Sequence, residues 1–357
     1  MSKLKEIISY EDIINYDRSN ILNDFRNWPK LSLEAFEKPI AIKKISDYKN
    51  IVFCGMGGSA ASCDVIKDWI GDINITIVRN YHLPRWVNVK DLVVAVSYSG
   101  NTEETLSCYS EALKKSIPMV TISSGGLLES SSKKNSIPHN KVTSGLVPRA
   151  AFPPLFYTLV RILHSMGIVN DEKFKEAKSS VQIFTLLSKS IFPETSFNQN
   201  ISKQVASFIH NKFPVVYGSE GIKSVVERFR KMICEMGKWH AMADTIPEMC
   251  HNEIVSYDLH NPMIKIILLR TRSEASEVSV RFDILKNILS NSKQKFMELQ
   301  APGENYLENV VSYFYLLDVS TVYLAIMNKV DPSKTESIDV FKNQLEKKLQ
   351  YVEKLFL

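Results

Sequence analysis

The sequence predicts an α/β protein of two domains, each a parallel sheet flanked by helices. Three observations carry this expectation. Between residues 50 and 145, short β-branched runs alternate with helix-length segments, the pattern of parallel strands covered on both faces. Two of these runs end in small-residue turns that open helices, Gly55-Met56-Gly57-Gly58-Ser59 and Ser97-Tyr98-Ser99-Gly100-Asn101-Thr102. The same theme returns after residue 200, beginning with the run 214–219. A length of 357 residues also makes two domains the prior expectation, and 45% hydrophobic residues suffice for two ordinary cores.

Residues 1–45 are polar with helical spacing and are expected to pack across the first domain. Strands are expected at 51–54, 74–79, 92–97, 118–122 and 141–143, with helices near 60–70, 102–116 and 126–133. Pro148 to Pro154 breaks the pattern, and 155–166 then reads as a helix. The stretch 170–200 is helical and charged, so the boundary is placed near 170, giving domains 1–170 and 171–357. In the second domain the run 214–219 is a strand, followed by a helix over 220–236. A strand at 264–270, a helix at 275–289 and a terminal helix at 335–356 complete it. The apolar stretch 310–327 contains Ser312, Asp318, Ser320 and Thr321, and so reads as a buried helix instead of a membrane span.

A formal charge of +5, from 44 basic and 39 acidic residues, suits an anionic metabolite and is too weak to argue for nucleic acid. The five cysteines (54, 63, 108, 234 and 250) form no C-x-x-C pair, which fits a reducing cytoplasm. The start, Met1-Ser2-Lys3-Leu4-Lys5-Glu6, lacks a hydrophobic signal core. No His/Cys/Asp/Glu cluster has metal-ligand spacing, so no metal and no other cofactor is expected.

The two turns carry the chemistry. A helix N-terminus presents unpaired N–H groups and positive partial charge, and hydroxyls at 97, 99 and 102 add donors to the same region. Such a cradle has no lysine and suits a phosphate that is held and not transferred. Gly55-x-Gly57-x-x-Ala60 also meets a loose dinucleotide fingerprint. The next strand, however, ends in Arg79-Asn80 and not in the acid that would bind a ribose, although Arg79 could face a 2′-phosphate. An NADP-dependent oxidoreductase is therefore an alternative, as is a non-catalytic sugar-phosphate regulator. The regulator would have a DNA-binding helix-turn-helix, which the chain does not show. In the second domain the turn Gly218-Ser219-Glu220-Gly221 puts an acid where an anion would sit, so it is not expected to bind phosphate.

These turns resemble those of sugar isomerase domains. Further matches at Pro148-Arg149-Ala150-Ala151, Cys234-Glu235 with Lys238, His251-Asn252 and Ile338-Asp339-x-x-Lys342 occur in order over nearly the whole chain. Together they resemble the archaeal and bacterial bifunctional phosphoglucose/phosphomannose isomerases. The resemblance implies two sugar-isomerase-type domains. It also implies a metal-free aldose–ketose isomerase that interconverts glucose 6-phosphate and mannose 6-phosphate with fructose 6-phosphate through a cis-enediol. It places Gly57, Gly58, Ser59, Ser97, Ser99 and Thr102 on the phosphate. It makes Glu235 the base between C1 and C2, and Arg149 the cation that steadies the enediolate. His251, supplied by the neighbouring subunit of a homodimer, would open the sugar ring with help from Lys342. Thr335 would make room for mannose stereochemistry at C2. The partner implied is a sugar phosphate, with neither nucleic acid nor membrane.

The chain departs from the family beside two of these positions. Cys234, Met236 and Gly237 stand where Asn, Asn and Ala are more usual, and Glu336 and Ser337 replace Pro and Arg. Apolar neighbours at Glu235 favour a raised carboxyl pKa, as a base for a carbon acid requires. Glu253, two residues beyond His251, is the rival base, but its stretch 252–258 is polar, which suggests a solvated carboxylate.

Overall fold

The protein is described from a computed structural model, which describes residues 8–42, 48–71 and 73–356. The stretch 1–6, read for a signal core, and residues 43–45 of the first helical region lie outside them. Three helices come first: α1 (Tyr10–Tyr16), α2 (Ile21–Arg26) and α3 (Trp28–Glu37). Ser9 and Asp12 close a capping box on α1, each side chain accepting the other residue's N–H. The first sheet region follows as β1 (Ile51–Cys54), α4 (Gly57–Ile70), β2 (Ile75–Val78), β3 (Leu92–Val96), α5 (Glu103–Lys114), β4 (Met119–Ser123), α6 (Gly126–Lys134) and β5 (His139–Lys141). Then come α7 (Phe152–Ser165), α8 (Asp171–Leu187) and α9 (Ile201–Ile209). The second sheet region runs β6 (Phe213–Ser219), α10 (Lys223–Glu235), β7 (Met242–Ile246), β8 (Ile264–Arg270), α11 (Ser276–Asn291) and β9 (Phe296–Gln300). The chain closes with α12 (Tyr306–Met327), α13 (Glu336–Leu349) and α14 (Tyr351–Phe356).

Both sheets are parallel, as the alternating pattern predicts. Their strand orders are β2-β1-β3-β4-β5 and β7-β6-β8-β9. The central strands β1 and β3 are buried along their whole length, which is why their sequences are continuous apolar runs. Two expected elements differ. The last strand of the first sheet pairs at 139–141, not 141–143, because Thr121, Ile122 and Ser123 meet His139, Asn140 and Lys141 in register. The terminal helix is interrupted at Gln350, whose φ of 45° lies in the left-handed region, and so becomes α13 and α14.

The chain forms two compact units. One contains the residues up to Arg26 together with Ser179–Lys334; the other contains Asn27–Lys178 together with the residues from Thr335 on. This differs from a single cut near 170 into 1–170 and 171–357. The crossing falls inside α8 because its first turns are tied to α4: Trp69 Nε1 donates to Glu176 at 2.9 Å, and Lys173 Nζ donates to the Trp69 carbonyl at 2.7 Å. The C-terminal segment joins the first-sheet unit because α14 packs on α5, and α1 and α2 join the second because they pack on α12, whereas α3 stays with the first through α7.

In the second-sheet unit, α12 is the core. It is the one helix among the described residues long and apolar enough to cross a membrane, yet the whole of its apolar window is buried. Most of its hydroxyls are satisfied locally, whereas the buried Asn309 amide finds no hydrogen-bond partner among the described residues. Ser312, Ser320 and Thr321 each donate to the carbonyl three residues back, and Tyr313 and Tyr323 donate to carbonyls of neighbouring segments. Asp318 is paired with Arg228 of α10 through three hydrogen bonds of 2.6–3.2 Å, with both side chains almost fully buried. Burial pushes the Asp318 carboxyl up to about 6, against the pull of Arg228.

Breaking one side of this pair leaves an uncompensated buried charge. Arg228→Met is therefore expected to cost about 3–5 kcal/mol in urea denaturation, and Arg228→Met combined with Asp318→Leu to recover most of that. A single-variant cost below about 1 kcal/mol, the range of an exposed pair, would show that the pair does not tie α10 to α12.

Candidate active site

The first sheet changes its direction of growth between β1 and β3, and the two turns singled out in the sequence leave these adjacent strands at their carboxyl ends. That is where open parallel sheets bind ligands. The turn after β1 leads into α4 and the turn after β3 into α5, and neither helix has a side-chain cap. The first-turn N–H groups of two helices are thus available to an outside acceptor.

The hydroxyls stitch the two turns together. Ser59 Oγ accepts the Tyr98 N–H at 3.0 Å, which joins one turn to the other. Ser97 Oγ lies 2.9 Å from Thr102 Oγ1 and accepts the Gly100 N–H at 3.1 Å, and Ser99 Oγ accepts the Asn101 N–H at 3.2 Å. Ser59 and Ser97 are buried, whereas Ser99 and Gly57 are exposed and Thr102 and Gly58 are partly so. Six of the expected substrate-binding positions are therefore gathered in one cradle.

A third loop, unremarked in the sequence, supports the cradle from β4. Ser124 Oγ donates to the Tyr98 carbonyl at 2.7 Å, Leu127 N–H to Asn101 Oδ1 at 2.9 Å and Leu128 N–H to the Gly100 carbonyl at 2.9 Å. Gly100 has φ +71°, and a Cβ there would stand 1.9 Å from the Gly125 carbonyl oxygen. Gly126, at φ +73°, would place a Cβ 2.4 Å from the Ser99 carbonyl oxygen. The loops touch backbone to backbone, which only glycine permits. The signal was the Ser123-Ser124-Gly125-Gly126 run, hidden by its second use as a helix start.

Arg149 lies in a 3-10 turn, Pro148–Ala150, and is 5% exposed. That turn rests on the start of α4, where a Cβ at Gly58 would be 3.0 Å from the Pro148 carbonyl oxygen and 3.6 Å from Arg149 Cα. Trp28 fixes it from the other side, Nε1 donating to the Ala150 carbonyl at 2.9 Å. Tyr98 connects the cradle with the approach to this turn, donating to the Thr143 carbonyl and accepting the Leu146 N–H. The expected enediolate-steadying cation thus belongs to the same local assembly as the cradle.

Lys342 and Thr335 are in this unit as well. Thr335 is the N-cap residue of α13, makes no side-chain capping bond and is partly exposed, while Lys342 is exposed on the helix. Arg79, the residue that could face a 2′-phosphate, is hydrogen-bonded to Asp64.

Glu235 and His251 belong to the other unit. Glu235 is the last residue of α10 and is partly exposed; Met236 beside it is buried but Cys234 is exposed. The apolar enclosure expected on both sides is present on one. Its carbonyl accepts a hydrogen bond from Lys238 Nζ. His251 ends a short 3-10 turn, Glu248–His251, and is exposed.

Glu253 corrects the expectation of a solvated carboxylate. It is half-buried and accepts the Tyr217 hydroxyl at 2.8 Å, and Tyr217 lies 2.7 Å from the Tyr257 hydroxyl. Burial pushes its carboxyl above the usual range, with the Tyr217 bond working the other way. The polar letters of 252–258 miss this because Tyr217 arrives from β6, far away in sequence.

In the second sheet, which reverses between β6 and β8, the corresponding ends hold the protein's own charges. Glu220 accepts Thr245 Oγ1 at 2.5 Å and Lys223 Nζ at 2.9 Å, while Arg270 pairs with Glu274 and Glu298. Among the described residues, no group of three His, Cys, Asp or Glu side chains could hold a metal ion.

Two parallel α/β sheets, one with hydroxyl-rich turns and uncapped helix starts at its switch point, make this a protein of the sugar isomerase class. Residues 198–345 match the family model described as bacterial phospho-glucose isomerase C-terminal SIS domain. A bifunctional phosphoglucose/phosphomannose isomerase of Caldicellulosiruptor bescii is 31% identical over 331 residues, spanning 89% of this chain and 97% of that protein. The Aquifex aeolicus enzyme of the same name is 30% identical over 321 residues, spanning 87% and 95%. A solved structure of a hypothetical protein from Thermus thermophilus shares the fold at TM-score 0.74 and 14% identity, covering 98% of this chain and 95% of its own. The chain belongs to the bifunctional phosphoglucose/phosphomannose isomerase family.

Proposed function

We propose that the chain interconverts glucose 6-phosphate and mannose 6-phosphate with fructose 6-phosphate. The observation that carries this reading, in a chain of this family, is the cradle: two uncapped helix starts, four hydroxyls and the Arg149 turn in one assembly. The cradle holds the phosphate, with Gly57 and Gly58 letting backbone N–H groups approach and Ser59, Ser97, Ser99 and Thr102 supplying hydroxyls. His251, from the partner of a homodimer, and Lys342 move the protons that open the ring. Glu235 takes the proton from C2 of the open aldose and returns it to C1, so that aldose and ketose share one cis-enediol. The Arg149 guanidinium offsets the charge developing on the enediolate oxygen. Thr335 gives space for either configuration at C2, which is how one site accepts both aldoses. Every step uses side chains of the protein, so the reading needs neither a metal nor a nicotinamide. Its setting is the cytoplasm, which fits five cysteines that are all unpaired.

A second reading gives the C1–C2 proton to Glu253, and a specific observation favours it: burial raises that carboxyl, which Tyr217 also orients.

The cradle is tested by affinity. Ser97→Ala or Thr102→Ala should weaken fructose 6-phosphate binding by about 1–3 kcal/mol, as for a hydrogen bond to a charged group. Unchanged affinity in a Ser99→Ala, Thr102→Ala double variant would remove the cradle from the phosphate.

The two glutamates are separated by exchange of tritium from C2 into solvent. Glu235→Gln should lower turnover on both aldose phosphates by roughly 10²–10⁴-fold, abolish exchange and leave affinity nearly intact, while Glu253→Gln leaves exchange in place. The reverse outcome assigns the proton to Glu253.

Subunit sharing is tested by mixing inactive Glu235→Gln and His251→Ala chains under conditions of exchange. If the sites combine residues from two copies, up to about half of the sites in mixed dimers regain both groups. No recovery after demonstrated exchange would assign both residues to one chain's site.

A further inference from the structure

Lys342 lies on a helix that does not hold itself in place. No residue of α13 is buried, and Ile338, Val340 and Phe341 are exposed apolar side chains. A 14-residue helix with no buried face draws no position from its own packing. What fixes it is the segment that follows. Beyond the left-handed residue Gln350, α14 lies against α5. Its Val352 and Leu355 pack on the apolar cluster that includes Leu106 and Tyr109. Tyr351 makes the polar part of this contact. Its hydroxyl is 2.8 Å from Ser107 Oγ, and its ring meets Tyr81 edge-on at 5.0 Å between centroids.

The same place holds two acids. Glu103, the first residue of α5, accepts the Tyr81 hydroxyl at 3.0 Å, and the Glu346 carboxyl is near enough to disfavour its charge. Glu103 follows the cradle residue Thr102 directly. Glu346 is four residues after Lys342, one helical turn along α13 and on the same side.

We infer that Tyr351, together with Glu103 and the Tyr81 hydroxyl it accepts, forms an anchor that positions Lys342, and that this anchor weakens as pH rises. The inference rests on the role given to Lys342 above.

The direction of the pH dependence follows from the groups facing Glu103. Burial acts first to hold its carboxyl above the usual range, and Glu346 and Glu104 act the same way, while the Tyr81 hydroxyl opposes them. Tyr81 is itself held up by burial and by Glu103, so it remains a donor; the Tyr351 ring closes the remaining side. The docked form therefore holds a proton on Glu103 more tightly than the released segment does. Docking is complete below the ordinary carboxylate range and weakens as pH rises through the raised Glu103 value.

The test uses the full chain with Tyr351→Ala, Tyr351→Phe, Glu346→Gln and Lys342→Ala, and has two readouts. One is hydrogen exchange of the α13 amides between pH 5 and 8. The other is kcat and KM for glucose 6-phosphate. Tyr351→Ala should speed exchange in α13 and lower kcat to that of Lys342→Ala at unchanged KM, and the double variant should be no slower than Lys342→Ala. Tyr351→Phe, which keeps the ring and loses one hydrogen bond, should fall between parent and Tyr351→Ala in exchange. Glu346→Gln should lessen the loss of α13 protection with rising pH. Parental exchange and kcat in Tyr351→Ala, beside a slow Lys342→Ala, would overturn the anchor. So would a double variant slower than Lys342→Ala, or a Glu346→Gln protein that keeps the full pH dependence. A Lys342→Ala protein as fast as the parent would instead remove Lys342 from the proposed mechanism, with exchange still reporting on the anchor.

Discussion

The first-sheet unit is organised by the convergence of two helix starts on one point. Because β1 and β3 are neighbours and parallel, α4 and α5 begin side by side, and both present positive partial charge there. Two like ends brought together are unfavourable unless something negative or polar lies between them. The hydroxyls of Ser59, Ser97 and Ser99 take that role, each accepting a backbone N–H from the second turn. Such neutral hydrogen bonds contribute about 0.5–1.5 kcal/mol each, net of water. Bonds to an ionised phosphate are roughly twice as strong as neutral ones. On the proposed reading a phosphate would displace part of this network at a net gain, while the Ser124–Gly126 loop holds the backbone in place. The cradle is preorganised by its own polar groups, not by a cavity waiting to collapse.

The second sheet shows what removes this property. Its topology is equivalent, with β6 and β8 as the adjacent pair. Yet the turn after β6 carries Glu220, whose carboxylate is already engaged by Thr245 and Lys223. At the end of β8, Arg270 is enclosed by Glu274 and Glu298, and the carboxylates hold its guanidinium even more firmly protonated than usual against the effect of burial. An acid supplied by the chain satisfies the helix start permanently. One difference in residue type, hydroxyl or glycine against carboxylate, thus separates a sheet end with uncapped helix starts from one occupied by the chain's own acid.

What was legible in the sequence was local. The turns after β1 and β3 could be read because chemistry and position coincide within six residues, and α12 because its apolar run carries hydroxyls that an α-helix can satisfy internally. Elements whose signal comes from partners were missed. The edge strands β7, Met-Ala-Asp-Thr-Ile, and β9, Phe-Met-Glu-Leu-Gln, have only two and one buried residues and show no apolar run. The support of Gly100 by Gly125 joins positions on different turns, and the departure of the terminal segments from a single cut near 170 depends on packing against α5 and α12. Glu253 illustrates the same limit for a functional group. Its polar sequence neighbours suggest water, but the residue that sets its environment, Tyr217, is on another strand.

Glu235 raises the opposite problem, that of holding an acid at a helix end without enclosing it. Its helix is tied down two turns earlier, where Arg228 is seven residues back and therefore on the same face. Arg228 reaches both carboxylate oxygens of Asp318, through Nε and Nη2, near the middle of a helix that is buried on every side, and its guanidinium also lies 4.7 Å from the Phe314 ring centroid. A pair of this kind gains little over an apolar contact of the same size, because both charges are desolvated. Its consequence is positional. Sliding α10 along α12 by one residue would separate the charges inside the core, at a cost of several kcal/mol. The register of α10 is thus fixed by electrostatics at a buried point, and the carboxylate at its open end inherits that register while remaining partly exposed.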